Sequence, residues 1–362
     1  MFPQRSSVLY QTPATHDPPP ALELAMNLEY PNLNVADLNA RLENLSPRLH
    51  DCWDSISINE HQHLALATNR REGRQWWGMF FGYGPSKANC MTVDSADFKL
   101  QSQHTVNIVR YADNNVLLVA LGDTRLQAWS TYSKVRNPES PYCLFLVGES
   151  WAHPTPISHL NVFNVNPQKA VSASADGTLN IWDISGADLE SSYHSRSSHT
   201  DKLTGLATPT VSSDQFVTCD RGGCARLWDV RAAAPSSVCL YDDAAHLISF
   251  TCAAFGSSNY VYLGDYDGKV HTLDIRVPLS LVKSEEYFDN GHVSKLLING
   301  PHLAAMSNLP ASVKVAKLQG EKLEIIYKHQ DTHSRLMDAV WTDDSTLVTI
   351  GHGRKMVTHS LK

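Results

Sequence analysis

The sequence predicts an all-β fold, a seven-bladed propeller preceded by an N-terminal extension, on three observations. The first is Ala170–Ser185, AVSASADGTLNIWDIS, which alternates apolar and polar residues on either side of Ala175-Asp176-Gly177 and ends in Trp182-Asp183. Asp-Gly is strong hairpin chemistry, because glycine accepts a positive φ without a Cβ clash. The second is a further copy at Phe216–Arg231, FVTCDRGGCARLWDVR, with Trp182 and Trp228 lying 46 residues apart. His153 precedes Trp182 by 29 residues and His199 precedes Trp228 by the same 29. The third is VYLGDYDGKVHTLDIR at Val261–Arg276, where Leu273 stands 45 residues after Trp228 and the register survives the loss of the tryptophan. A period of about 40–45 residues closed by Trp-Asp marks a four-stranded WD-repeat blade.

In chain order, residues 1–50 form an arm and residues 51–362 the propeller. Met1–Pro20 is proline-rich and is expected to be disordered or extended by itself. In Ala36–Leu45 the residues Leu38, Leu42 and Leu45 recur at helical spacing, with Asp37 at the favourable helix start. That short helix either packs on the propeller or serves as a partner-binding arm.

From Cys52 onward the rhythm is of short strands and turns. Blade one holds His63–Thr68, a polar turn NRREGR and Gln75–Tyr83. Blade two holds Val106–Ala112, Asn115–Asp123 and Arg125–Trp129, and blades three and four are the clear pair. Blade five runs from His246 to LDIR, blade six from Gly291-His292 through His302–Ser307 and Ser312–Leu318. Blade seven holds Leu336–Trp341, Thr346–Gly351 and Lys355–Leu361. Seven repeats close a ring that leaves only short, protected edges. Gly84–Thr105 and Tyr132–Pro156 read as long loops on the ring faces.

Composition narrows the function. The 362 residues are 42% hydrophobic, enough for a large core, and the formal charge is −7 with no long basic tract. Direct nucleic-acid or acidic-membrane binding is therefore disfavoured. Seven scattered cysteines without C-x-x-C imply reduced thiols. The N-terminus lacks a signal core and no run approaches the ~18 apolar residues of a membrane span, so a cytoplasmic location, extending to the nucleus, is expected. There is no phosphate loop or glycine-rich dinucleotide fingerprint, and no cofactor is implied.

Several residue sets invite a sharper reading. His153, Ser172, Asp176 and Trp182 suggest a hydrogen-bond chain from turn carboxylate to imidazole to hydroxyl to indole, with Ser174 an alternative to Ser172. A Ser/His/Asp set also suggests a hydrolase. Recurrence in the next blade as His199, Thr218 and Trp228 argues for a structural brace, since a catalytic site has no reason to repeat in every blade. Gly222 replaces the turn carboxylate there, which predicts an incomplete brace. The 17 histidines fall at blade openings or alternate in strands, so a metal site is disfavoured. Arg70, Arg71 and Arg74 form a basic turn. In Trp76-Trp77 adjacent strand residues face opposite ways, which leaves one of the two for a partner.

The segments GRQWWG (Gly73–Gly78), LGDYDGKVHTLD (Leu263–Asp274) and THSRLMDAVW to THSL (Thr332–Leu361) resemble the methylosome WD-repeat subunits. These are the propeller partners of the type II protein arginine methyltransferase. The stretch YPNLNVADLNARLENLSPRL resembles the insect form, whose members are linked to germ-plasm assembly. The resemblance spans most of the chain from Asp51, plus this arm. It implies a noncatalytic adaptor that binds the enzyme's N-terminal barrel and presents Sm proteins or histones, in a hetero-octamer of four enzyme and four propeller chains. It also implies that a first-blade tryptophan wedges into the enzyme. The matching position is Trp76, flanked by Arg71 and Arg74, but Trp77 stands where the vertebrate pattern has a small residue, so either indole could be the anchor.

Two other functions compete. Trp228-Asp229-Val230-Arg231 and Leu273-Asp274-Ile275-Arg276 resemble W-D-x-R docking motifs, which would make the chain a substrate receptor of a cullin–RING ubiquitin ligase through Arg231 and Arg276. A propeller enzyme would need polar residues from several blades converging on the channel.

Overall fold

A computed structural model describes residues 52–361, apart from 73–74, 86–94, 114, 132–143, 152, 185–188, 212–213, 232–235, 244–246, 257–258, 320–321, 332–334 and 354. The proline-rich stretch, the proposed helix at 36–45 and Arg74 lie outside the described residues. The rest is an antiparallel propeller of seven sheets.

Blade one is β1 (Cys52–Ile58), β2 (Leu64–Glu72), β3 (Gln75–Tyr83) and β4 (Phe98–Ser102). Blade two is β5 (Val106–Tyr111), β6 (Val116–Leu121), β7 (Arg125–Ser130) and β8 (Phe145–Trp151). Blade three is β9 (Ile157–Phe163), β10 (Asn166–Ser174), β11 (Leu179–Asp183) and β12 (Glu190–Ser195). Blade four is β13 (Leu203–Ala207), β14 (Gln215–Asp220), β15 (Cys224–Asp229) and β16 (Ser236–Asp242). Blade five is β17 (Phe250–Phe255), β18 (Tyr260–Asp265), β19 (Lys269–Asp274) and β20 (Leu281–Glu286). Blade six is β21 (Lys295–Asn299), β22 (His302–Asn308), β23 (Ala311–Gln319) and β24 (Lys322–Asp331). Blade seven has three described strands, β25 (Leu336–Trp341), β26 (Thr346–Gly351) and β27 (Met356–Ser360).

Two sequence expectations need correcting. The supposed long loops Gly84–Thr105 and Tyr132–Pro156 contain the outermost strands β4 and β8. Outer strands are half exposed and need no apolar alternation, as the pattern of β12 (ESSYHS) shows. The supposed six-residue turn NRREGR is mostly strand, with Arg70 opposite Trp77, Arg71 opposite Trp76 and Glu72 opposite Gln75.

The core is divided among the blade interfaces. Each apolar cluster joins two neighbouring blades; Trp182, for example, packs with Ile108, Leu118 and Leu126 of blade two. Trp53, Ile56 and Phe81 of blade one pack with Val348 and Ile350 of blade seven, so hydrophobic burial itself closes the ring. Polar bonds then fix the joints. A register shift in each innermost strand of blades two, four and five leaves one extra residue, and these residues reach the next blade. Asn107 Nδ2 donates to Ile157 O (3.3 Å), Thr204 Oγ1 to Phe250 O (2.7 Å) and Thr251 Oγ1 to Val293 O.

The three hairpins of the repeat share one turn, with Gly177, Gly223 and Gly268 at φ of +84°, +86° and +82°. The loop in blade three is three residues, a longer turn than the two-residue one that Asp-Gly suggests, and it ends in a left-handed glycine. At Gly268 an added Cβ would lie 2.1 Å from Phe288 O and 2.5 Å from Gly291 O. Gly268→Ala should therefore cost about 2 kcal/mol or more, read as a lowered urea midpoint, because strain and clash coincide.

Candidate protein-interaction site

The brace is present, with two changes from the sequence reading. In blade three Trp182 Nε1 donates to Ser172 Oγ (2.8 Å), which pairs with His153 Nε2 (2.7 Å). His153 Nδ1 then meets Thr178 Oγ1 (2.6 Å), and Thr178 Oγ1 donates to Asp176 Oδ1 (2.7 Å). Thr178 thus relays a carboxylate that does not touch the imidazole. Ser174 plays no part, since its hydroxyl donates to Pro156 O (3.0 Å).

The brace in blade four is complete, contrary to expectation. Asp220, at the last position of β14, supplies the carboxylate that Gly222 lacks. His199 Nδ1 lies 2.9 Å from Asp220 Oδ2, His199 Nε2 lies 2.6 Å from Thr218 Oγ1, and Trp228 Nε1 donates to Thr218 Oγ1 (2.8 Å). Asp265 holds the corresponding place in blade five and pairs with His271 Nε2 (2.8 Å). In blade seven His359 occupies the tryptophan's register position, opposite Leu347, and meets Thr349 Oγ1 at 2.9 Å. His199, Asp220 and Cys224 carry ligand atoms within 4.8 Å of one another. His199 and Asp220 are committed to the brace, however, and burial pushes the Cys224 thiol up to about 12.

Burial pushes the buried imidazoles of His153 and His359 down to about 4, so both are neutral in the fold. An unfolded imidazole titrates near 6.5, so between pH 6.5 and 4 the unfolded chain binds more protons and stability falls as pH falls. The contribution is intact above pH 6.5 and reduced by roughly 2 kcal/mol per histidine at pH 5. Urea titrations at pH 7 and pH 5 should show this loss, and His153→Gln should remove one histidine's share of it.

The outward-facing chemistry lies at blade one. The β2–β3 ribbon carries Arg71 beside Trp76, the guanidinium carbon 6.0 Å from the ring centroid. Trp76 is 49% exposed, whereas Trp77 is half-buried. Both indoles line a cleft of about 540 Å³ with Gln103, His104, Thr105 and Gly122. His104 Nε2 is 3.3 Å from Asp123 Oδ2, and Arg125 Nε donates to Asp123 Oδ2 (2.6 Å). Arg125 in turn lies 5.4 Å from the centroid of Trp151, which is 71% exposed. Sequence reasoning missed Trp151; a tryptophan inside the polar run GESWAH is the signal that pointed to it.

Arg231 and Arg276 do not join this face. Arg231 folds back on Asp229 and Arg276 on Asp274, each donating through Nε at 2.9 Å.

A family model described as "WD domain, G-beta repeat" matches residues 146–183. The chain is 77% identical to Protein valois of Drosophila melanogaster over 100% of both chains. It belongs to the Valois family of methylosome WD-repeat proteins. Methylosome protein WDR77 of Xenopus laevis shares 23% identity over 82% of this chain and 86% of its own. Among solved structures, a chain of the mitotic checkpoint complex aligns with a TM-score of 0.65 at 15% identity, covering 85% of this chain and 89% of its own. Sqt1 of Chaetomium thermophilum, bound to the N-terminus of ribosomal protein L10, aligns with a TM-score of 0.62 at 12% identity, covering 86% and 97%. At those identities they share the propeller fold with the Valois family and nothing finer. Among the described residues no helix is long and apolar enough to cross a membrane.

Proposed function

We propose that this chain is a noncatalytic adaptor of the methylosome, binding a type II protein arginine methyltransferase and presenting Sm proteins or histones for symmetric arginine dimethylation. Membership of the Valois family supports the adaptor role. The observation that carries the interface is the half-exposed Trp76 on the β2–β3 ribbon, stacked beside Arg71 and set over a cleft. Tryptophan and arginine are favoured anchors of protein interfaces, the indole for its large rigid area and the guanidinium for its planar fork of donors. The braces support a noncatalytic reading, since each histidine is buried and held by hydroxyl or carboxylate partners inside a blade. The pairing of Arg231 and Arg276 with carboxylates of their own strands favours a structural role over ligase docking.

Co-expression of the full chain with the methyltransferase should give a complex that survives gel filtration, at a mass matching four copies of each. The isolated chain should transfer no methyl group from S-adenosylmethionine to Sm or histone peptides. Recovery of two separate peaks, or methyl transfer by the chain alone, would overturn the proposal.

A further inference from the structure

The innermost strands of the seven blades enclose an axial channel of about 600 Å³. Into it project Arg110 from β5, Lys295 from β21 and Asp338 from β25. Asp338 is fully committed. Its Oδ2 accepts Ser55 Oγ (3.2 Å) and Ile56 N (3.0 Å) and lies 3.5 Å from Arg110 Nη1, while Oδ1 accepts Ala339 N (2.8 Å) and the Lys295 ammonium. One carboxylate therefore serves two cations.

Arg110 spends only one nitrogen on the protein. Nη1 donates to Ile56 O (3.0 Å), Val109 O (2.8 Å) and Ser55 Oγ (3.1 Å), whereas Nε and Nη2 have no acceptor among the described residues. The Arg110 and Lys295 side chains are 22% and 23% exposed, and both line the channel. The other carboxylate of the lining, Asp54, accepts Asn69 Nδ2 (3.0 Å), and burial pushes it up to about 6. His159 on β9 lies in the field of these cations: burial, then the charges of Lys295, Lys202 and Arg110, push it down to about 4. Burial and the Arg110 charge likewise hold the Lys295 ammonium well below its usual range, a penalty that a bound anion would relieve.

We propose that the axial channel is a binding site for a small phosphate-bearing ligand, held by the free edge of the Arg110 guanidinium and by the Lys295 ammonium. A phosphoryl group offers several oxygens, which suits a planar fork and a point charge approaching from different blades. The volume falls in the range of small-ligand pockets. This site is separate from the blade-one surface and stands whether or not that surface binds a methyltransferase.

The test is calorimetric titration of the full chain with pyrophosphate at ionic strength held constant with sodium chloride. Wild type should bind with saturation. Lys295→Met should weaken binding at least tenfold, while Lys295→Arg should retain most of it, both variants being checked for native melting. Should Lys295→Met not fold, Arg110→Lys, which keeps the charge but loses the fork, should lower affinity by a similar factor. Glutarate, a dicarboxylate, distinguishes phosphate from carboxylate as the source of the oxyanion and should bind more weakly than pyrophosphate. Absence of pyrophosphate binding, equal binding by the variants, or a preference for glutarate would each overturn the assignment.

Discussion

Asp338→Ala is expected to destabilise the propeller by about 3–5 kcal/mol, the cost of stranding buried charge after removing its partner. The carboxylate is 6% exposed and holds side chains or backbone from four blades: Ser55 and Ile56 of blade one, Arg110 of blade two, Lys295 of blade six and its own blade seven. Its removal leaves two cations facing each other with no counter-charge and frees the Ile56 amide at the seam where the ring closes. Asp338→Asn keeps an acceptor oxygen and should fall between the two. Urea denaturation followed by tryptophan fluorescence gives the measure. A loss of less than about 1 kcal/mol for Asp338→Ala would show that the two cations find other partners or water.

The clear repeats made the fold legible. Asp176-Gly177 and Asp267-Gly268 mark turns that need a left-handed glycine, and the 46-residue step from Trp182 to Trp228 holds in the structure as two equivalent interblade tryptophans. The outermost strands were illegible because they bury little: β8, FLVGESW, has no fully buried residue and so no alternation to read. The braces were half legible. In blades three and four the histidines and hydroxyls stand at fixed spacing, but the carboxylate moves from Asp176, which acts through Thr178, to Asp220 at the end of the preceding strand. A spacing rule tied to one position fails when geometry lets a second position reach the same imidazole. The channel cluster had no local signature at all. Arg110, Lys295 and Asp338 meet only because three innermost strands, far apart in sequence, converge on one axis.

Trp76→Ala is expected to weaken methyltransferase binding at least ~30-fold, corresponding to about 2 kcal/mol for loss of an interface anchor. The exposed half of this indole is area that a partner can bury, and Arg71 holds the ring from one side. Trp77 is half-buried in the cleft, so Trp77→Ala should act more weakly and partly by loosening the cleft wall. With both replaced, no complex should persist through gel filtration at micromolar concentration. Arg71→Lys preserves charge but gives up the planar contact with the ring, so it should weaken binding less than Trp76→Ala. Because Trp76 lies outside the apolar clusters that join the blades, its alanine variant should melt close to wild type. That separation gives the measurement its force: affinity lost with melting unchanged places the contact at Trp76, whereas full affinity in the doubly substituted chain moves the interface elsewhere on the ring. Trp151, reached from the same cleft through His104, Asp123 and Arg125, is then the next indole to replace.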